Sequence, residues 1–347
     1  RVLFRSQSKN NNKQRKNMNL KKIGLTALAG SLVATSVFAG EMTVTGSASM
    51  KVEHVNGGAA NSGKSYSMGN QLEFAGSGEL DNGLNVSLSF VLDQNDDTYT
   101  ATATTAAPHK GAPFDSHSVS VSSDALGALT FHGEGGSSAQ SAIDTTAAGD
   151  LWDSSFGITT VQDPKASAAP DNMISYALPS VVDGVGAVVS YSPKGTGDQS
   201  STAYALSYTG VEGLALHYAK GEANATAGSH ADVTTIKATY AYGPVSVGYS
   251  ETEYDSENTD TSADQEVDSW NVSYTISENI SVSYGSETIA EPNETSDQDI
   301  EVSGITASYT TGGMTISGTM IDADNTAMTT ATTEDKQQWS LAASFAF

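Results

Sequence analysis

From Glu41 to Phe347, apolar and small polar residues alternate one by one through segment after segment, and this period of two constrains the chain more than any other feature. Leu84, Val86, Leu88, Phe90 and Leu92 are interleaved with Asn85, Ser87, Ser89 and Val91; Trp270, Val272, Tyr274 and Ile276 with Asn271, Ser273 and Thr275. Val245, Val247 and Tyr249 follow the same rule, as do Ile280, Val282 and Tyr284, and the closing run Trp339, Leu341, Ala343, Phe345, Phe347. Successive side chains of a strand point to opposite faces, so each segment has one apolar face and one of Ser, Thr, Asn, Ala and Gly. Helical periodicity is hard to find, and after the first forty residues no apolar run approaches the length of a spanning helix.

Alternation alone suits a soluble sandwich as well as a membrane barrel, and punctuation separates the two. Short turns carrying Gly, Asn or Asp fall at 80–83, 124–127, 210–213, 243–244, 277–279 and 311–313. Longer polar segments fall between them, at about 55–66, 94–115, 135–169, 194–199, 223–230, 253–265, 290–299 and 323–334. Short turns at one end and long loops at the other are the pattern of a transmembrane barrel. The landmarks predict sixteen strands over 42–54, 67–79, 84–93, 116–123, 128–134, 171–178, 185–193, 200–209, 214–222, 231–242, 245–252, 266–276, 279–289, 300–310, 314–322 and 335–347. The expected fold is all-β, a 16-stranded antiparallel transmembrane β-barrel with long external loops. Tyr176, Tyr191, Tyr208, Tyr218, Tyr242, Tyr249, Tyr274, Tyr284 and Tyr309 lie near strand ends on the apolar face, where a ring with a wet hydroxyl suits the membrane interface.

Charge divides the chain. Residues 1–22 hold eight of the sixteen basic residues, and the first carboxylate is Glu41. Beyond that point eight lysines and no arginine face forty carboxylates, a balance of −32. Such a surplus excludes the basic footprint of nucleic-acid binding and favours cations as partners. No cysteine is present, which removes disulfides, thiolate catalysis and Cys-ligated zinc. Lys21 and Lys22, the apolar stretch from Ile23 to about Val33 and the small residues ending at Val37-Phe38-Ala39 read as a signal peptide over 18–39. Residues 1–17, polar and basic, read as upstream or non-native sequence, leaving 40–347 as the barrel. A retained anchor is the alternative, but the stretch is interrupted by Gly24, Thr26, Gly30 and Ser31.

Three stretches carry a resemblance. Glu41-Met-Thr-Val-Thr-Gly-Ser-Ala-Ser-Met50 is similar to the first strand of the general bacterial trimeric porins, particularly the alphaproteobacterial kind. Asp171-Asn-Met-Ile-Ser-Tyr-Ala-Leu-Pro179 with Gly186-Ala-Val-Val-Ser-Tyr191 is similar to that family's Asn-Ser-Ile-Ser-Tyr hairpin. Trp339 to Phe347 resembles its carboxy-terminal assembly signal. The resemblance implies a homotrimer in the cell outer membrane of a Gram-negative bacterium, with a third external loop folded into the lumen. That loop maps to about 135–169 and carries Asp144, Asp150, Asp153 and Asp163 against Lys165, which fits an acidic lip at the constriction. The family usually opposes such acids with arginines on the barrel wall. This chain has none after residue 40, so a strong transverse field is not expected.

With the apolar face to lipid, the registers put Lys51, Glu53, Glu73, Thr130, His132, Glu134, His217 and Lys237 on the lumen wall. Carboxylates lining a passage concentrate cations, so the expected activity is a general diffusion porin, a passive cation-preferring channel for small hydrophilic solutes and ions. Lys51 and Lys237 are expected opposite the loop acids. The alternative is a structural or adhesive outer-membrane barrel with ligand-binding loops. Catalysis is not expected, because none of the six histidines sits in a hydrolase or zinc motif. No cofactor is expected. The loop carboxylates Asp93, Asp96, Asp97 and Asp255, Glu257, Asp260, Asp264 offer oxygen ligands for Ca²⁺ or Mg²⁺ bridging to anionic lipid and lipopolysaccharide, although they lack the spacing of a built calcium loop.

Overall fold

The computed structural model describes residues 41–57, 63–93, 115–143, 145–152, 163–168, 171–193, 200–223, 230–256, 264–292, 298–328 and 335–347. Sixteen strands follow in chain order: β1 (Glu41–Gly57), β2 (Gly63–Glu79), β3 (Asn85–Asp93), β4 (Ser116–Ser123), β5 (Gly127–Glu134), β6 (Met173–Ala177), β7 (Val185–Ser192) and β8 (Ser201–Tyr208). They continue with β9 (Leu214–Glu222), β10 (Ala231–Tyr242), β11 (Val245–Ser256), β12 (Gln265–Ser277), β13 (Ile280–Ala290), β14 (Ile300–Thr311), β15 (Met314–Asp324) and β16 (Lys336–Ala346). Each strand pairs antiparallel with its sequence neighbours, and β16 returns to β1, closing the barrel. The expected count and architecture are observed.

Closure follows from the solvent. A backbone group left unpaired in hydrocarbon costs several kcal/mol, so only a sheet with no free edge spans a bilayer in strands. The seam is complete to its end: Gly46 N–H donates to Phe347 O at 2.7 Å, and Phe347 N–H donates to Gly46 O at 2.9 Å. Gly46 is also where the Phe347 ring rests, since a Cβ there would collide with it.

The registers carry one face assignment around the circumference, interrupted by bulges at His117/Ser118 in the β4–β5 pair and at Thr275/Ser277 in the β12–β13 pair. Val247 pairs with Val272 and Tyr249 with Trp270, all exposed on the outer surface, while Ser246 pairs with Ser273 inside, their hydroxyls 2.5 Å apart. All nine tyrosines singled out above stand at outward positions. The Trp270 and Tyr284 rings lie 5.7 Å apart, and Tyr249 donates its hydroxyl to Asp268 at 2.7 Å, towards the long-loop end. Beyond these rings the outward positions of β11 to β15 turn acidic, with Glu251, Glu266, Asp268, Glu301 and Asp322, which marks the upper limit of the lipid-facing band.

Strand ends depart from expectation where alternation loses its apolar half. The β1–β2 hairpin runs on to Gly57 and Gly63 through residues expected to be loop, and β11 continues through Glu253 and Asp255 to Ser256. Their ladders persist above the membrane, where outward side chains are charged and no hydrophobic period marks the strand. β6 is shorter than expected, with only Met173–Ala177 in the sheet.

Candidate functional site: the loop seated in the lumen

The connection between β5 and β6 folds inward and lies on the inner wall from β7 round to β15. Its described parts are 135–143, 145–152 and 163–168, and inward-facing hydroxyls and amides hold them strand by strand. Ser190 of β7 accepts from Ala139 N–H at 2.8 Å. Gln140, fully buried, donates to Thr235 of β10 at 2.9 Å and accepts from Ser167 N–H on the returning arm. Ser250 of β11 donates to Thr145 O at 3.0 Å, and Ser269 of β12 accepts from Ala148 N–H at 2.8 Å. Gln265 binds the return twice, accepting from Lys165 N–H and donating to Asp163 O. Leu151 then plugs an apolar patch of Val267, Ile289, Ile300, Val302 and Ile321.

Glycines on inward strand positions make room for this backbone. A Cβ on Gly285 of β13 would stand 2.7 Å from Ala148 Cβ, and one on Gly221 of β9 would stand 2.6 Å from Ser167 Cβ. Gly304 of β14 similarly faces Leu151, whose Cδ2 is 3.0 Å from the position of a Cβ. Glycine inside a strand weakens the sheet, and its repetition at these positions is explained by the close approach of a second backbone.

Of the four loop acids, Asp144 and Asp153 lie outside the described residues. Asp150 is exposed and follows Gly149 in a left-handed turn (φ 89° and 55°), stapled by Thr146 Oγ1 donating to its carboxylate at 2.8 Å. Asp163 is exposed on the returning arm. Beside it Lys165 sits 4.4 Å over the Tyr254 ring; burial pushes its ammonium below the usual lysine range, against an upward pull from Glu291 and Asp264.

The wall residues separate into two groups. Lys51 and Glu53 of β1 form an ion pair at 2.7 Å, and Glu53, 1 % exposed, also accepts from Gln338 of β16 at 3.0 Å. Glu73 of β2 is half-buried and accepts from Ser89 at 3.0 Å. His132 of β5 lies 2.9 Å from Ser175 of β6; Glu134, expected beside it on the lumen wall, follows a bulge and pairs instead with His117 of β4, which pairs in turn with Phe90 on the outer face, so that expectation is corrected. Lys51, Glu53 and Glu73 stand on β1 and β2, away from the strands that hold the described loop, whereas Gly136 at the start of the loop packs against His132. His217 of β9 and Lys237 of β10 are cross-strand partners on the covered arc. Lys237 Nζ donates to Thr146 O at 3.1 Å, so it is part of the loop's seat; the expectation that it faces the loop acids across the passage is corrected.

Glu287 of β13 escaped the sequence reading. It is fully buried and accepts from Trp152 N–H at 3.0 Å, the outermost tether of the loop. Its inward register between Ser286 and Thr288 was legible, but nothing in the pattern says which inward carboxylate lies under a loop. The inward glycines were a second unused signal. Of the proposed cation ligands, Asp93, Asp255 and Asp264 are described, and Asp264 accepts from Ser256 N–H at 2.8 Å. Asp96, Asp97, Glu257 and Asp260 lie outside the described residues, and among the described ones no three His, Asp or Glu converge to hold a metal.

A closed sixteen-strand wall with an inner loop and a hydroxyl-lined face is built to hold water across a bilayer. Solved structures share it: a mutant of the porin of Rhodopseudomonas blastica superposes with a TM-score of 0.61 at 16 % identity, covering 88 % of this chain and 100 % of its own. A loop-deletion variant of OmpT, an outer membrane protein of Vibrio cholerae, gives 0.63 at 14 % identity over 89 % of this chain and 100 % of its own. An anion-selective porin from Comamonas acidovorans gives 0.61 at 16 % identity over 89 % and 100 %. No curated sequence aligns with the chain. The family model of the Gram-negative porins matches residues 24–347, and with that span covering the entire barrel, the chain belongs to the Gram-negative porin family of the outer membrane.

Proposed function

We propose that this porin is a homotrimeric general diffusion channel that passes small hydrophilic solutes and ions and prefers cations. The observation that carries the sign of the preference is the Arg-free barrel, in which water-facing carboxylates border the passage on the wall and on the loop. A fold shared with an anion-selective porin leaves the sign to the side chains. Carboxylates along a water-filled path raise the local concentration of cations and lower that of anions. No energy coupling or cofactor enters this reading. Its natural surroundings are outer-membrane lipid and lipopolysaccharide, with divalent cations bridging loop carboxylates to the anionic headgroups.

Trimerisation draws support from wall height. β4, β5 and β6 have 8, 8 and 5 residues, below the about 9–11 residues of a lipid-spanning strand. A second copy covers such a low wall better than lipid does. The neighbouring outer face of β1 and β2 carries Met42, Met50 and Met68, adaptable side chains suited to protein contact.

Planar-bilayer recording under a KCl gradient tests the function. Channel steps with a cation-selective reversal potential are expected, and neutralising Asp144, Asp150 and Asp153 together should reduce the preference. A reversal potential of anionic sign overturns the selectivity, and a purified protein that never conducts favours an adhesive barrel instead.

A further inference from the structure

The short-turn end of the barrel carries a surface that the passage does not use. Four consecutive hairpin turns, between β2 and β3, β4 and β5, β6 and β7, and β8 and β9, each set an exposed aliphatic side chain next to or near a carboxylate. We propose that this row docks a basic amphipathic segment of a periplasmic protein, whose apolar side chains meet the turn aliphatics and whose lysines or arginines meet the carboxylates.

The four turns repeat one composition. Leu80 precedes Asp81 in the first, Leu126 follows Asp124 by two residues in the second, Val181 and Val182 precede Asp183 in the third, and Val211 precedes Glu212 in the fourth. Gly83, Gly127, Gly184 and Gly213, each with a positive φ, supply the bends, so turn geometry does not call for the aliphatics. Val181 is nevertheless 85 % exposed and Val182 58 %, and all four carboxylates are exposed beside them. The other three turns lack the pattern: Gly243-Pro244, Glu278-Asn279 and Gly312-Gly313 have no Leu, Val or Ile at the tip. Single exposed aliphatics are ordinary, whereas a row of them confined to one side of a rim marks an interaction surface.

The tips are held in place. The Tyr176 hydroxyl donates to Leu126 O at 2.5 Å, tying the second turn to β6, and Thr209 N–H donates to Gly184 O at 2.7 Å, tying the fourth turn to the third. With neighbouring strands about 4.8 Å apart, the hairpins follow one another at about 10 Å and four tips extend about 30 Å along the rim, the length of a helix of about 20 residues. Charge selects the occupant. No lysine or arginine occurs in or beside any short turn, although eight lysines follow residue 40. Phospholipid would accept the aliphatics, but its phosphates repel the carboxylates, and the rim of a second copy is repelled by the same charges. A basic polypeptide satisfies both halves of the pattern.

The experiment measures binding of a helical peptide of about 20 residues, lysines on one face and leucines on the other, to the refolded full-length porin in nanodiscs of zwitterionic lipid. Empty discs give the background, and the same peptide with glutamate in place of lysine is the control. One variant neutralises the acids (Asp81→Asn, Asp124→Asn, Asp183→Asn, Glu212→Gln), a second removes aliphatics (Leu126→Ser, Val181→Ser, Val182→Ser), and Glu278→Gln changes a turn outside the row. Heat-dependent gel mobility checks that each barrel is folded. Binding should weaken roughly tenfold in each of the first two variants and stay at the parental level in Glu278→Gln. Binding no stronger than to empty discs, equal binding of the glutamate peptide, or parental binding in either row variant overturns the proposal. So does a serine variant that runs as a monomer before heating where the parent does not, because the aliphatics then belong to contacts between copies. A Val181→Trp variant whose added fluorescence is quenched by brominated lipid overturns it too, with lipid as the occupant.

Discussion

Among single residues, the ones that shape this pore are small or hidden. Gly285→Val places two methyl groups where Ala148 already stands, at 2.7 Å from the first added carbon. Overpacking of this kind costs about 1–3 kcal/mol, relieved by lifting the loop off the wall and into the passage. Single-channel conductance of Gly285→Val should fall while the barrel stays folded; unchanged conductance means the loop is not seated there. Glu287 acts by holding Trp152 N–H. Glu287→Ala leaves a buried donor unsatisfied, a loss of about 1–3 kcal/mol, whereas Glu287→Gln retains an acceptor. Limited proteolysis of the folded protein should cut between β5 and β6 faster in the alanine variant and near the parental rate in the glutamine variant.

For a whole strand, the alternation that defines the face also predicts unequal tolerance. Val272 faces lipid and its chain neighbour Ser273 faces the lumen. A lysine near the middle of the lipid face costs about 2–4 kcal/mol in a membrane barrel, and one in the water-filled lumen costs little. Val272→Lys should therefore lower the temperature at which heat-dependent gel mobility changes, and Ser273→Lys should not. Equal shifts would mean the faces are assigned wrongly. The last strand is a second case. Removing Phe347 deletes both backbone bonds to Gly46 and uncovers that glycine, so the truncated barrel should unfold at a lower temperature in the same assay. The ends of strands were less legible than their middles. Between Thr252 and Ser256 outward Glu253 and Asp255 replace the apolar half of the period, and a ladder above the membrane leaves no hydrophobic trace.

In the assembled molecule, the uneven wall has a consequence for association. If β4 to β6 are covered by neighbouring copies, subunits crosslinked in outer-membrane vesicles should run as a trimer in detergent before heating, and bulky charged substitutions at Phe131 or Val119 should yield monomers. A stable monomer that conducts normally would refute the trimer. Charge acts at this scale too: a channel governed by fixed carboxylates loses its cation preference as salt rises, because screening contracts from about 10 Å at 0.1 M to about 3 Å at 1 M.

The amino-acid sequence by itself determined the number of strands, the lipid and lumen faces, and the end from which long loops rise, because each depends only on the local period of two and on turn chemistry. It also determined the sign of the chain's surplus charge after residue 40, since no arginine follows to offset the acids. Which inward residues meet water was decided by tertiary structure alone. Lys237 and Glu287 have the same inward register as Glu73, yet the loop covers the first two and leaves the third in the passage. That difference comes from where a segment remote in sequence comes to rest, on glycines and hydroxyls drawn from strands β7 to β14, and no local pattern records it.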